Sequence, residues 1–235
     1  MTIRIHKKEE RGQMDYGWLY ARYSFSFANY FNPERMGFGA LKVLNNDTIA
    51  PGRGFDTHCH RDFEIITIPL DGAVRHADNK GNSGVVNSNQ VQVMSAGTGI
   101  CHSEYNASES EPLELFQIWI ETNQMAAEPR YQQADIPQIQ NGVLCNLVGS
   151  MESNDSVVQI HQDARIALLR LQAGEFFEYT LPAAQGLFVM VVEGSVSVEG
   201  QELARRDSAE IQDQQKVTLA ATDETKLLLI QVPLQ

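Results

Sequence analysis

Short apolar segments of strand length recur along the whole chain, and most are followed by a turn of glycine, asparagine or aspartate. Residues 65–68 (Ile65-Ile66-Thr67-Ile68) run to Asp71-Gly72, residues 74–77 to Asn79-Lys80-Gly81-Asn82, and residues 90–94 to Gly97-Thr98-Gly99. Residues 113–120 follow, carrying Phe116, Ile118 and Trp119. Nearer the N-terminus, Tyr23, Phe25 and Phe27 alternate with small or polar neighbours, the pattern of a half-buried strand. Segments this short cannot bury a face alone. Their even spacing, with few stretches of helical period, predicts an all-β sandwich or barrel.

Residues 121–140 differ. Pro129, Pro137 and several glutamines predict an irregular connector with one short helix. Strand patterning then resumes at residues 167–171, 187–192, 196–198, 217–219 and 226–232. The segment Ile68-Pro69-Leu70-Asp71-Gly72-Ala73-Val74 is echoed by Met190-Val191-Val192-Glu193-Gly194-Ser195-Val196. Both read as strand, acidic-glycine turn, strand. The echo predicts a divergent internal duplication: two β-barrels, one over residues 1–130 and one over 131–235.

Only six histidines are present, and their spacing carries the chemistry. His58 and His60 are two apart, and His102 is two residues before Glu104. Alternate residues of a strand share a face, so each pair projects two ligand-type groups in one direction. Two neighbouring strands of a barrel can aim all four at one interior point. Imidazole and carboxylate together suit divalent iron, manganese, nickel, copper or zinc. Such a set leaves coordination positions open, the arrangement of a catalytic rather than a structural site.

An H-x-H alone is common on solvated strands; here the context is more specific. Gly52, five residues, His58-Cys59-His60, three residues, Glu64, seven residues and Gly72 together resemble the first cupin motif. Gly99, His102 and Asn106 resemble the end of the second, with Gly97 where that motif usually carries proline. A narrower resemblance is to the pirin family. It is carried by Ser24-Phe25-Ser26-Phe27-Ala28-Asn29-Tyr30, by residues 57–64 and by residues 94–106, and is extended by Gln117-Ile118-Trp119-Ile120 and Pro129-Arg130-Tyr131. The resemblance implies a bicupin, two cupin-type β-barrels packed together, with the metal in the N-terminal barrel only. It also implies His58, His60, His102 and Glu104 as ligands, and Fe(II) as the metal. Some pirins are described as quercetin 2,3-dioxygenases and others as redox-responsive regulatory partners.

Two functions follow as expectations. The first is a dioxygenase acting on a flavonol-like small molecule with dioxygen, Glu104 serving as ligand and base. The alternative is a non-enzymatic regulator whose metal redox state controls a protein partner. A metal that only staples the fold fits less well, because structural sites are normally fully ligated by protein. The net charge of -12 disfavours direct nucleic-acid binding. With no membrane-length apolar run and no secretory leader pattern, the expected compartment is the cytoplasm.

Glu64 shares strand parity with His58 and His60, which offers it as a hydrogen-bond partner orienting the ligands; a surface salt bridge is the alternative. The three cysteines, Cys59, Cys101 and Cys145, argue against a disulfide framework. Cys59 and Cys101 have the opposite parity to the ligands and read as small buried hydrophobes between layers rather than a redox pair. His6, His76 and His161 read as structural or surface residues. Gly174 followed by Thr180-Leu181-Pro182 occupies the place of an H-x-H in the second half, so a second metal site is not expected.

Overall fold

The structure, a computed structural model, describes residues 2–234. The first half runs through β1 (Thr2–His6), β2 (Gly12–Asp15), β3 (Leu19–Tyr23), β4 (Leu41–Ile49), β5 (Gly54–His60), β6 (Phe63–Asp71), β7 (Ala73–Asp78), β8 (Ser83–Asn87), β9 (Gln90–Ser95), β10 (Ile100–Asn106), β11 (Leu113–Glu121) and β12 (Arg130–Asp135). The second half runs through β13 (Cys145–Ser150), β14 (Val158–Ile160), β15 (Arg165–Leu171), β16 (Phe176–Thr180), β17 (Gln185–Glu193), β18 (Ser195–Val198), β19 (Gln201–Ala204), β20 (Ser208–Gln212), β21 (Lys216–Ala221) and β22 (Thr225–Pro233). One 3-10 turn at Lys8–Glu10 is the only helical element among the described residues. The all-β expectation holds.

Each half is a seven-stranded sheet closed against a four-stranded one. The N-terminal sheets have the orders β12-β9-β6-β11-β4-β3-β2 and β5-β10-β7-β8. The C-terminal sheets have the orders β1-β20-β17-β22-β15-β13-β14 and β16-β21-β18-β19. Strands β4 to β11 and β15 to β22 thus occupy matching places in matching order. The echoed segments are matching corners: β6 turns into β7 through Gly72 at φ 79°, and β17 into β18 through Gly194 at φ 74°. Both backbones are left-handed there, a conformation glycine adopts without steric cost.

Two edge strands cross the boundary drawn at residue 130. β1 pairs with β20 over five residues and completes the C-terminal sheet. β12 pairs with β9 from Arg130↔Ser95 to Asp135↔Gln90 and completes the N-terminal sheet. Residues 2–6 therefore belong by pairing to the second barrel, and residues 130–135 to the first. An unpaired sheet edge is a liability, and each barrel covers one with a strand from beyond the expected limit. The short helix expected in the connector is replaced by β12, whose extended backbone is bracketed by Pro129 and Pro137. The aromatic alternation near the N-terminus supplies only β3; beyond Tyr23 the chain turns, and Phe27 and Tyr30 form an isolated bridge.

Three apolar regions hold these sheets together. The two seven-stranded sheets pack face to face through Phe25, Leu44, Ile66, Phe116 and Ile118 from one half and Ile166, Phe188, Met190 and Ile230 from the other. This explains why β17 and β22 are buried on both faces. The C-terminal barrel is filled by apolar side chains, among them Leu169, Val189, Val191, Val217 and Leu229. The N-terminal barrel differs: its apolar interior is split into a group around Leu19, Ile49 and Leu113 and a smaller one around Ile65, Met94 and Ile100. Buried polar residues also occupy it, including Thr67, His76, Gln92, His102 and Glu104. A polar interior carries a desolvation cost that only hydrogen bonds or a ligand offset, which marks this barrel as the one to search for a site.

Candidate metal centre

β5 and β10 pair antiparallel, with His58 opposite His102, Cys59 opposite Cys101 and His60 opposite Ile100. Residues directly opposite share a face, so His58, His60 and His102 all point into the barrel. The register shifts between His102 and Glu104. Gly54 pairs with Tyr105 beyond that shift, and a Cβ on it would collide with the Glu104 carbonyl oxygen. Glycine there is a packing requirement of the site.

The three imidazoles form one cluster. Their ring centroids lie 4.5 Å (His58–His102), 4.8 Å (His58–His60) and 5.0 Å (His60–His102) apart. One nitrogen from each lies within 4.8 Å of the other two, and His60 Nε2 faces His102 Nε2 at 3.0 Å. His58 Nδ1 lies 2.8 Å from the Asp56 carbonyl oxygen, which can only accept, so His58 donates from Nδ1 and Nε2 is the nitrogen it can offer to a metal. Burial, and then His58, push His60 down to about 4. Burial, and then the three neighbouring imidazoles, push His102 down to about 2. Both rings are therefore neutral near pH 7, the form that ligates metal. Imidazole nitrogens converging on one point fit a divalent cation, and they are the cluster of metal-ligand type found among the described residues.

Glu104 lies on the same inner face but is not one of the 4.8 Å set. Its Oε2 accepts from Gln117 Nε2 at 2.9 Å, and its Oε1 lies 3.1 Å from Thr67 Oγ1. Thr67 Oγ1 is also 2.8 Å from Gln117 Oε1. A hydroxyl has one hydrogen, so Thr67 donates to Glu104 when that carboxylate is ionised and to Gln117 when Glu104 is protonated and donates in turn. This ring of three side chains accommodates both states. Burial raises the Glu104 pKa, opposed by His58 and by the Thr67 and Gln117 hydrogen bonds.

Several residues of the site were not singled out by sequence. His76 is buried on β7 opposite Glu104, with its ring 5.3 Å from His102 and stacked on Tyr131 at 5.0 Å. Its parity with the apolar Val74 was the available signal. Trp119 meets the His60 ring edge-on at 4.7 Å and is itself met by Phe27 at 5.3 Å and Phe63 at 5.7 Å. These three aromatics are half-buried and form a wall beside the histidines.

Glu64, Cys59 and Cys101 have surroundings other than those their strand parity predicts. Glu64 takes neither expected role: it is buried and accepts from Ser95 Oγ at 2.6 Å. Asp62, at φ 53°, breaks the strand between β5 and β6 and with it the parity. Burial pushes the Glu64 carboxyl up, while Ser95, the His161 backbone, Thr122 and Arg130 pull it down. Cys59 and Cys101 do point away from the histidines, but onto an outer face that is solvent rather than a second layer. They are joined in a disulfide, while Cys145 stays free. In the second barrel, Thr180 and Pro182 are exposed, and β16 turns Phe177 and Tyr179 toward the apolar interior instead.

A pair of such barrels, one polar and histidine-bearing and the other filled with apolar side chains, defines a two-barrel cupin protein. The pirin family model matches residues 4–120, and the quercetinase C-terminal cupin domain matches residues 147–232. A quercetin 2,3-dioxygenase from Escherichia coli is 39% identical over 231 residues, 98% of this chain and 99% of the relative. A pirin-like protein from Caulobacter vibrioides is 40% identical over 223 residues, 94% of this chain and 96% of the relative. The crystal structure of the bacterial pirin YhhW from Escherichia coli in complex with nickel(II) superposes with a TM-score of 0.94 at 37% identity, covering 100% of both chains. The chain belongs to the pirin family. Among the described residues no helix is long and apolar enough to cross a membrane.

Proposed function

We propose that His58, His60, His102 and Glu104 hold one divalent transition metal, iron first among the candidates, and that the protein is a quercetin 2,3-dioxygenase-type oxygenase acting on flavonols. The observation that carries this reading is the convergence of three imidazole nitrogens within 4.8 Å beside a buried carboxylate that accommodates either protonation state. The quercetin 2,3-dioxygenase name of a relative that matches nearly the whole chain supports the substrate class.

The metal, when bound, supplies Lewis-acid polarisation and organises substrate and dioxygen. The protein's own groups do the rest. Glu104 takes the proton of the flavonol 3-hydroxyl, a role for which a carboxylate raised by burial is suited. Thr67 and Gln117 hold Glu104 in place and rearrange their hydrogen bonds as it gains that proton. Phe27, Phe63 and Trp119 offer flat apolar surface to an aromatic ligand. The indole Nε1 of Trp119, buried and without a partner among the described residues, is a donor available to it.

Oxygen consumption with quercetin by iron-reconstituted protein, measured beside His102→Ala, tests this. Turnover in the parent that disappears in the variant supports the reading. An iron-loaded parent that consumes no oxygen with quercetin or other flavonols overturns it.

A further inference from the structure

The strand that contributes two of the three histidines is a sheet edge. In the order β5-β10-β7-β8, β5 has β10 as its one neighbour. Their ladder is interrupted by the register shift between His102 and Glu104. The covalent tie between these strands is Cys59–Cys101, with Cα atoms 3.9 Å apart. It sits in the register between the His58/His102 pair and the His60/Ile100 pair. Cys59 is exposed and Cys101 half-exposed, so soluble reactants reach the sulfurs without opening the barrel.

We propose that Cys59 and Cys101 form a reversible thiol–disulfide site whose state sets how tightly the histidine cluster holds its metal. The proposal rests on the reading of His58, His60 and His102 as ligands. In the reducing direction the donor is a dithiol. One donor thiolate attacks a sulfur of the bridge and displaces the other protein sulfur as a thiolate, leaving a mixed disulfide. The donor's second thiolate then attacks its own bonded sulfur and releases the protein thiol. The donor leaves as its disulfide, having delivered two electrons and two protons. In the oxidising direction a peroxide accepts two electrons and two protons from the thiols; hydrogen peroxide yields two waters.

With the bridge closed, β5 and β10 are fixed in the register that sets His58 against His102, and little conformational freedom is left to lose on binding a metal. With the bridge open, β5 is an edge strand held by an interrupted ladder, and metal binding must itself order His58 and His60. Metal affinity therefore falls on reduction.

The test titrates nickel(II) against a chromogenic chelator, using protein freed of reductant or oxidant beforehand. Thiols are counted after unfolding. The peroxide-treated parent should show one thiol, Cys145, and the reduced parent three. The oxidised form should bind nickel about tenfold more tightly, the lower end of what groups that orient metal ligands contribute. A Cys59→Ser/Cys101→Ser variant should match the reduced parent and ignore peroxide. Three thiols persisting after oxidation, or equal affinities with the bridge formed, overturn the proposal while leaving the metal reading intact. Failure of both forms to bind nickel overturns the metal reading and the proposal with it.

Discussion

His58 and His102 stand directly opposite each other on neighbouring antiparallel strands, their ring centroids 4.5 Å apart, although they lie 44 positions apart in sequence. Strand pairing has done what local sequence cannot, by setting one imidazole from each of two motifs on a common point. Removing either should abolish the site without unfolding the protein, because the inter-barrel core and the second barrel lie elsewhere. For His102→Ala the expected loss in metal affinity is at least about 100-fold, since even groups that only orient ligands are worth about 10–100-fold. Metal analysis after dialysis checks this, and an unchanged melting temperature of the metal-free protein checks the fold.

Thr67 and Gln117 should matter through Glu104. Gln117→Leu removes the donor to Oε2 and leaves a buried carboxylate less satisfied, a cost of about 1–3 kcal/mol. Glu104 should then titrate higher still. The expected phenotype is lower stability by urea unfolding, with a pH optimum for flavonol turnover displaced upward. Thr67→Val should behave similarly, because it takes away the hydroxyl that serves both Glu104 and Gln117.

How far the sequence revealed this site depended on the distance over which each fact is set. The inward direction of His58, His60 and His102 needs only strand parity, and it was legible. So was the corner at Gly72, repeated at Gly194. His76 could have been found by following parity from Val74. Glu64 could not, because the positive φ of Asp62 resets the parity and no residue type announces it. The Cys59–Cys101 bridge needs the register between β5 and β10, which depends on pairing across 42 residues. Counting cysteines does not supply it. The exchange of β1 and β12 is longer in range still, since Thr2 pairs with Gln212.

That exchange makes a prediction about which barrel the N-terminus stabilises. Ile3 and Ile5 pack against the interior of the C-terminal barrel. The double variant Ile3→Ala/Ile5→Ala should therefore destabilise that barrel by roughly 1–2 kcal/mol per position, given their partial burial. Hydrogen exchange should accelerate in β20 and β17, while nickel affinity at the histidines stays as in the parent. Loss of nickel binding in this variant would mean that the two barrels are energetically one unit.

Asp47 should leave a signature in the pH dependence of stability. Its carboxyl is buried on β4, and burial pushes it up to about 7. The charges of Arg11 and Arg22 pull it down, and that of Glu104 adds to the rise. In the unfolded chain it titrates near 3.8. Between these two values the folded state holds a proton that the unfolded state has released, so folding is favoured by low pH across this window. The contribution is fully present below 3.8 and is lost as pH rises to about 7, beyond which it stays constant. Its size is at most roughly 4 kcal/mol. Asp47→Asn cannot titrate and removes this component alone. The stability of the parent minus that of the variant, taken from urea unfolding of metal-free protein between pH 4.5 and 8, should therefore fall with rising pH and level off near 7. A difference that stays flat across this range would show that Asp47 is ionised throughout, held so by Arg11 and Arg22.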